Sequence, residues 1–388
     1  MNRRELLSLV SASLSLPLAP MALSQASARS GKRLVLVELS GANDGLNTIA
    51  PAWDDRYHQL RPEIGLEPDE VISLGQSLGL NQAMRPLLSA WNAGELAVVQ
   101  GLGYPSQNRS HFKSIALWET GGDGNRSGRD GWLTEDIEGM AFSGLDAHGI
   151  SLDGGMGVFA SPSGMWISMT SLADVKTLSA SNQSYGTNPA TTNPALSMLL
   201  ERANNFDAAM ERISQKVSAM PSRSFRINAG GLGRQASLAA QLIAAGVNAP
   251  VLKLSIGGFD THEYQRGDHE RLLRTVARAL AGFRNTLKST GHWDDTLVMT
   301  YSEFGRRARE NQSRGTDHGA AAPHFVMGGR VNGGLWGTHP DLGQLENDDL
   351  RFTMDYRSLY DNVLGEWFGI RNNRFSGFST RLLSGLTA

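Results

Sequence analysis

Apolar residues along the chain follow two rhythms. Short unbroken runs at 33–39, 96–100, 251–256, 296–301 and 325–327 read as strands buried on both faces of a mostly parallel sheet. Helical spacing fills the intervals. Residues 110–120 place Phe112, Ile115, Ala116 and Leu117 on one face, and residues 269–287 do the same with Leu272, Leu273, Val276, Leu280 and Phe283. Segments 194–220, 232–245 and 356–368 also read as helices. This alternation predicts an α/β fold, a mostly parallel central sheet flanked by helices. Residues 121–250 interrupt the rhythm with a glycine-rich loop at 124–131, short strands and turns at 151–177 and a Ser/Asn/Thr-rich stretch at 179–193 that reads as an exposed loop. They are expected to be an insertion within a single domain spanning 29–388.

The first 28 residues have a different character. Arg3 and Arg4 precede an uncharged run at 6–23 that Pro17 and Pro20 interrupt, and Ala26-Ser27-Ala28 closes the segment. That order reads as a twin-arginine signal peptide. It predicts export through the twin-arginine translocase to the periplasm or beyond. The run is too broken to be a stable membrane span.

Charge and composition narrow the chemistry. With 36 Lys and Arg against 38 Asp and Glu the net charge is −2, and loss of Arg3, Arg4 and Glu5 makes it one unit more negative. No basic surface is implied, which argues against a nucleic-acid partner. The chain has no cysteine. Disulfides, thiolate catalysis and zinc–sulfur sites are therefore excluded, and any metal must rest on Asp, Glu or His.

Polar residues of that kind gather just after the strands. Asp44 follows the first, and Ser110 and His111 open the helix after the second. Asp260 and His262 lie beyond the run at 251–256. Glu303 ends the run at 296–301, close to Arg306, and Asp317 and His318 occupy the next loop. The carboxyl ends of parallel strands share one edge, so these groups are predicted to meet in one cleft. Carboxylates crowded together call for a cation, and an oxygen and nitrogen donor set suits Zn²⁺, Mn²⁺, Mg²⁺ or Ca²⁺, one ion or two. A serine at a helix N-terminus is placed to act as a nucleophile on a bound anion, with Arg109 or Arg306 as the anion's clamp. Plainer readings exist for each residue alone: Asp44 as a turn residue, Ser110 as an N-cap, Glu303 with Arg306 and Arg307 as a surface ion-pair cluster. His58, His148, His269, His292 and His339 lack such context and read as surface or structural.

Ser-Gly-Ala-Asn-Asp-Gly-Leu-Asn-Thr (40–48), Arg-Ser-His-Phe (109–112), Gly-Gly-Phe-Asp-Thr-His (257–262), Tyr-Ser-Glu-Phe-Gly-Arg-Arg (301–307), Gly-Thr-Asp-His-Gly (315–319) and Asp-Tyr-Arg-Ser-Leu-Tyr (355–360) resemble, in this order, the bacterial family known as domain of unknown function 1501. That family is placed near the alkaline phosphatase and sulfatase superfamily. The resemblance implies an alkaline-phosphatase-like sandwich, Ser110 as nucleophile, Asp44 and Glu303 as metal ligands, Asp260 and His262 as ligands of one ion, and His318 as the last histidine. Phe304 stands where the superfamily usually has a histidine, which implies that one site is weakened, rebuilt with His111 or Asp317, or lost. The implied activity is metal-dependent hydrolysis of a small-molecule or glycan phosphate or sulfate ester. The alternative is a non-catalytic exported binding or envelope-associated protein on the same fold.

Overall fold

The computed structural model describes residues 31–140, 144–174, 193–220 and 225–387. The expected signal segment and nearly all of the loop expected at 179–193 lie outside them. In chain order the strands are β1 (Arg33–Leu39), β2 (Ile49–Ala50), β3 (Val71–Gly75), β4 (Leu78–Asn81), β5 (Leu96–Gly103), β6 (Gly149–Ser151), β7 (Trp166–Ser168), β8 (Val251–Ile256), β9 (Thr296–Tyr301), β10 (Ala322–Gly328), β11 (Gly334–Trp336) and β12 (Met354–Asp355). Nine of them form one sheet in the order β11-β5-β10-β9-β1-β8-β6-β7, with β12 also paired to β5, while β2, β4 and β3 form a small separate sheet. Every pairing in the large sheet is parallel except the two made by β10, which runs against β5 and β9.

The central strand shows why these runs are unbroken. Leu34 and Leu36 of β1 enter the core on one face, and Val35, Val37 and Leu39 enter the core on the other. A strand covered on both sides has no solvent face to mark with polar residues. The helices α1 (His111–Thr120), α2 (Pro194–Ala219), α3 (Gly230–Ala244), α4 (Gln265–Thr290) and α5 (Arg357–Asn362) form the outer layers. Leu272, Leu273, Val276, Leu280 and Phe283 of α4 pack with Ala239, Leu242 and Ile243 of α3 under one face, and Leu117, Trp118, Leu359 and Tyr360 of α1 and α5 lie under the other. Truncating a fully buried residue such as Leu273 to alanine should cost about 2–5 kcal/mol. No helix among the described residues is long and apolar enough to cross a membrane.

The expected bounds of β1, β8 and β9 are the observed ones. β5 runs on to Gly103 beyond the expected 96–100, and α4 spans Gln265–Thr290 beyond the expected 269–287. Three further details differ. β10 is longer than the expected run at 325–327 and antiparallel. The closing helix ends its α-helical part at Asn362 and continues as a wider turn to Trp367. Phe112, expected on the apolar face of α1, is 88% exposed, because that helix is covered through Ser114, Leu117 and Trp118 while Phe112 and Lys113 in its first turn are open to solvent.

One face also carries a buried charge cluster. Lys253 of β8 lies 3.0 Å from Glu38 and 2.5 Å from Asp153, and the Tyr301 hydroxyl donates to Glu38 at 3.2 Å. Glu119 shares this neighbourhood. Burial, partly offset by Lys253 and reinforced by Glu38 and Asp153, pushes its carboxyl up to about 7.

Candidate metal centre

The loops after β1 and β8 and the loop that joins β9 to β10 converge at the carboxyl edge of the sheet. Close backbone approach draws them together. Gly41 has φ +106°, and a Cβ there would fall 2.5 Å from the Asp260 nitrogen; a Cβ at Gly315 would fall 2.2 Å from the His262 carbonyl. Arg306 is buried at their junction. It donates to the carbonyls of Ala42 (2.8 Å), Gly41 (2.5 Å), Thr316 (2.9 Å) and Phe259 (3.1 Å), and its Nη2 also reaches Asp260 Oδ1 at 2.6 Å. One guanidinium thus ties three loops and aims a carboxylate.

Three side chains close on one another above this knot. His111 Nε2 is 3.0 Å from His318 Nε2, His318 Nε2 is 3.2 Å from Asp260 Oδ1, and His111 Nε2 is 3.4 Å from Asp260 Oδ1. A tetrahedral zinc ion with bonds near 2.0–2.1 Å has ligand-to-ligand edges of about 3.3 Å. The triangle matches that size. His262 Nε2 borders it, 3.0 Å from His318 Nε2 and 2.9 Å from Asp260 Oδ1.

The outer nitrogens of two of these rings fix their proton positions. His111 Nδ1 is 2.7 Å from Glu303 Oε1, and His318 Nδ1 is 2.8 Å from the Arg109 carbonyl. Both partners only accept, so both Nδ1 atoms carry protons and a neutral ring turns its Nε2 lone pair inward. Two lone pairs at 3.0 Å beside a carboxylate oxygen repel unless a proton or a cation lies between them. Burial lowers the His318 pKa, aided by the charges of Arg306 and His111 against its bonds to Arg109 and Asp260, which favours the neutral ligand form. At Asp260 burial acts to raise the pKa, but the Arg306 hydrogen bond and charge outweigh it and hold the carboxyl at about 2. Phe304 is buried against the rings of His111 and His318, with centroids 4.9 and 4.8 Å away, and acts as packing.

The candidate residues therefore separate. His111, Asp260 and His318 meet, with His262 beside them. Glu303 is not turned to the shared point. Its Oε1 takes His111 Nδ1 and the Gly41 N–H (2.8 Å), so it orients a histidine rather than offering a ligand atom. Asp317 Oδ1 stands 3.5 Å from His262 Nδ1 on the exposed rim. Arg306 is no anion clamp, because its donors are spent on carbonyls and Asp260. Ser110 is the exposed N-cap of α1, its hydroxyl makes no capping bond, and it lies between Arg109 and His111, both in contact with His318.

Asp44 stands apart. It is buried, and both its oxygens are taken: Oδ2 by Arg61 Nη1 (2.6 Å) and Gln265 (2.5 Å), Oδ1 by Arg61 Nη2 (3.0 Å). Arg61 spends its other bonds on Asn47 and the carbonyls of Ala308 and Arg307. A fixed guanidinium occupies the place of a cation, so the expectation that Asp44 binds metal gives way to a structural ion pair. Arg61 and Gln265 went unread in the sequence. A buried aspartate announces that it needs a partner but not which of 36 basic residues supplies it. His269, read as structural, is so: it is buried against Asn43 at 2.9 Å.

The chain belongs to the family described as protein of unknown function (DUF1501), which matches residues 68–375. No curated protein matches it. Among solved structures it is similar to the lipoteichoic acid synthase LtaP from Listeria monocytogenes, with 12% identity, 92% of this chain and 76% of that one covered, and a TM-score of 0.43. It is also similar to a protein in the alkaline phosphatase superfamily from Vibrio parahaemolyticus, with 13% identity, coverage of 87% and 72%, and a TM-score of 0.33.

Proposed function

We propose that the protein is an exported, metal-dependent hydrolase of phosphate or sulfate esters, with one divalent cation held by His111, Asp260 and His318 and with His262 at its open side. The observation that carries this reading is the pair of inward Nε2 atoms 3.0 Å apart, each ring anchored through Nδ1 on an acceptor. The donor chemistry fits a cation, zinc best among the candidates, because two imidazoles and one carboxylate leave room for a further ligand. When bound, such an ion supplies positive charge to an anionic ester and to the charge that develops as the ester oxygen leaves.

The chain's own residues do the rest. Ser110 supplies the hydroxyl oxygen that bonds to phosphorus or sulfur as the bond to the ester oxygen breaks; the ester oxygen leaves with the serine's proton as the free alcohol, and water then cleaves the seryl ester, restoring the Ser110 hydroxyl and releasing phosphate or sulfate. The first N–H groups of α1 have no partners within the helix and favour an anion there. Glu303 keeps His111 in its ligating tautomer, and Arg306 keeps Asp260 ionised and in place. Export rests on Arg3-Arg4 and Ala26-Ser27-Ala28. Pairing of Asp44 with Arg61 favours a second reading, a binding protein that has lost catalysis.

Elemental analysis of the purified protein with assays on aryl phosphates and sulfates decides between them. The hydrolase reading expects about one bound ion per chain and turnover abolished in Ser110→Ala with the ion retained. Bound metal without turnover supports the binding protein. An absence of bound metal in a wild-type protein that nevertheless turns over would sink the metal centre.

A further inference from the structure

Two loops of the metal centre rest on one buried amide. Thr261 lies between Asp260 and His262, and Thr316 lies two residues before His318. Both threonines are buried, while Asp260 and Asp317 beside them are exposed. Each loop therefore turns a hydroxyl inward and a carboxylate outward. Gln265, fully buried at the first position of α4, meets both hydroxyls. Its Oε1 accepts from Thr316 at 2.5 Å and from Thr261 at 3.1 Å, and its Nε2 donates to Asp44 Oδ2 at 2.5 Å. An ionised carboxylate only accepts, so Asp44 admits the N–H end of the amide and leaves the oxygen to the threonines. The Thr261 hydroxyl also lies 3.3 Å from the Phe259 carbonyl, which makes Thr316 the firmer of the two contacts.

We infer that Gln265 is a positioning residue for the metal centre: it sets the spacing between the loop of Asp260 and His262 and the loop of His318, and the Asp44–Arg61 pair in turn sets Gln265. The inference rests on the metal-dependent reading above and extends the site inward to residues that touch neither ion nor ester. The backbone alone joins these loops loosely, through the Thr316 N–H and the Thr261 carbonyl at 3.3 Å. Arg306 holds the Thr316 carbonyl at 2.9 Å and Gln265 holds its hydroxyl, so this residue is gripped from both sides. The start of α4 is a firm base for the amide. The Tyr264 and Gln265 N–H groups donate to the carbonyls of Ser313 and Arg314, each at 2.9 Å, and Tyr264 is held at φ +45°. An aromatic residue keeps a left-handed backbone only where its surroundings dictate it. The ligand atoms above lie 3.0, 3.2 and 3.4 Å apart, and a site of this kind tolerates displacements of only about 0.5 Å. A side chain that bonds to both loops is placed to hold that tolerance.

The test uses the full chain with Co²⁺, whose visible spectrum reports its coordination geometry, and NMR of the imidazole nitrogens in metal-free protein at one fixed pH. Thr316→Val removes a hydroxyl and keeps the shape; it should weaken Co²⁺ binding about tenfold and alter the spectrum, and Thr316→Ser should restore both. Gln265→Met should weaken binding about 10–100-fold. The His111 and His318 nitrogen shifts should move in Thr316→Val and return in Thr316→Ser. If Gln265→Met fails to fold, the Thr316 pair still decides. A lower melting temperature in the metal-free variants, with Co²⁺ affinity, spectrum and nitrogen shifts unchanged, makes Gln265 a packing residue and overturns the inference. A wild type that takes up no Co²⁺, with nitrogen shifts that still follow the Thr316 pair, supports the positioning role and sinks the metal reading instead.

Discussion

Asp44 and Asp260 follow neighbouring parallel strands, and each is bound to one arginine, yet they have opposite characters. Arg61 meets Asp44 through both oxygens, and the pair is buried with Gln265 and Asn47. Arg306 gives Asp260 a single nitrogen, spends the rest on carbonyls, and leaves the carboxylate 45% exposed among imidazoles. The first pair closes a charge; the second points one. Whether a carboxylate stays open to a ligand therefore follows from how an arginine divides its five donors, not from the presence of the carboxylate.

The largest effect should come from breaking the closed pair. Arg61→Met leaves Asp44 buried without a cation and should destabilise the protein by about 3–5 kcal/mol in denaturant titrations. A stable Arg61→Met protein that takes up a second metal ion would collapse the contrast, since Asp44 would then be a ligand in waiting. Next is the open pair. His318→Ala should reduce bound metal from about one ion per chain to near none. Chelator should lower the melting temperature of wild type but not of this variant, a difference worth about 2.7 kcal/mol when free metal is a hundredfold above its Kd. A third change sharpens the division between ligand and support. Glu303→Gln should weaken metal affinity about 10–100-fold without abolishing it, measured by competition with a chelating dye, whereas full loss would make Glu303 a ligand.

The last prediction concerns a carboxylate without a guanidinium of its own. Glu119 shares Lys253 with Glu38 and Asp153, and its pKa is raised from 4.5 to about 7. The sign for an acid raised on folding is that ionisation opposes the folded state, so stability falls as pH climbs from 4.5 through about 7. Glu119→Gln should therefore gain on wild type above pH 7 and lose that gain near pH 4.5, followed by urea midpoints. A pH-independent difference would mean that Lys253 suffices for all three carboxylates.

The contrast also explains what could be read from residues alone. A strand buried on both faces writes an unbroken apolar run, so β1, β8 and β9 were legible to the residue. The meeting of Asp260, His262, His111 and His318 followed from strand direction, and it survived the reversal of β10 because His318 precedes that strand and lies at the same edge. Partner choice was not legible. Arg61 sits at the end of a short helix with no motif around it, and whether Asp44 faces a metal or an arginine depends on where the chain folds back 17 residues later. Phe112 misled for a related reason: helical spacing identifies a stripe but not how far the core extends beneath it.

The Arg306 knot carries a consequence for the order of folding. Its partners lie 265 positions away at Gly41, 47 away at Phe259 and 10 away at Thr316. Closing the longest of these loops costs chain entropy that only the assembled sheet returns. The triangle of His111, Asp260 and His318 thus cannot precede β1, β8 and β9, and in refolding it should emerge in the last kinetic phase.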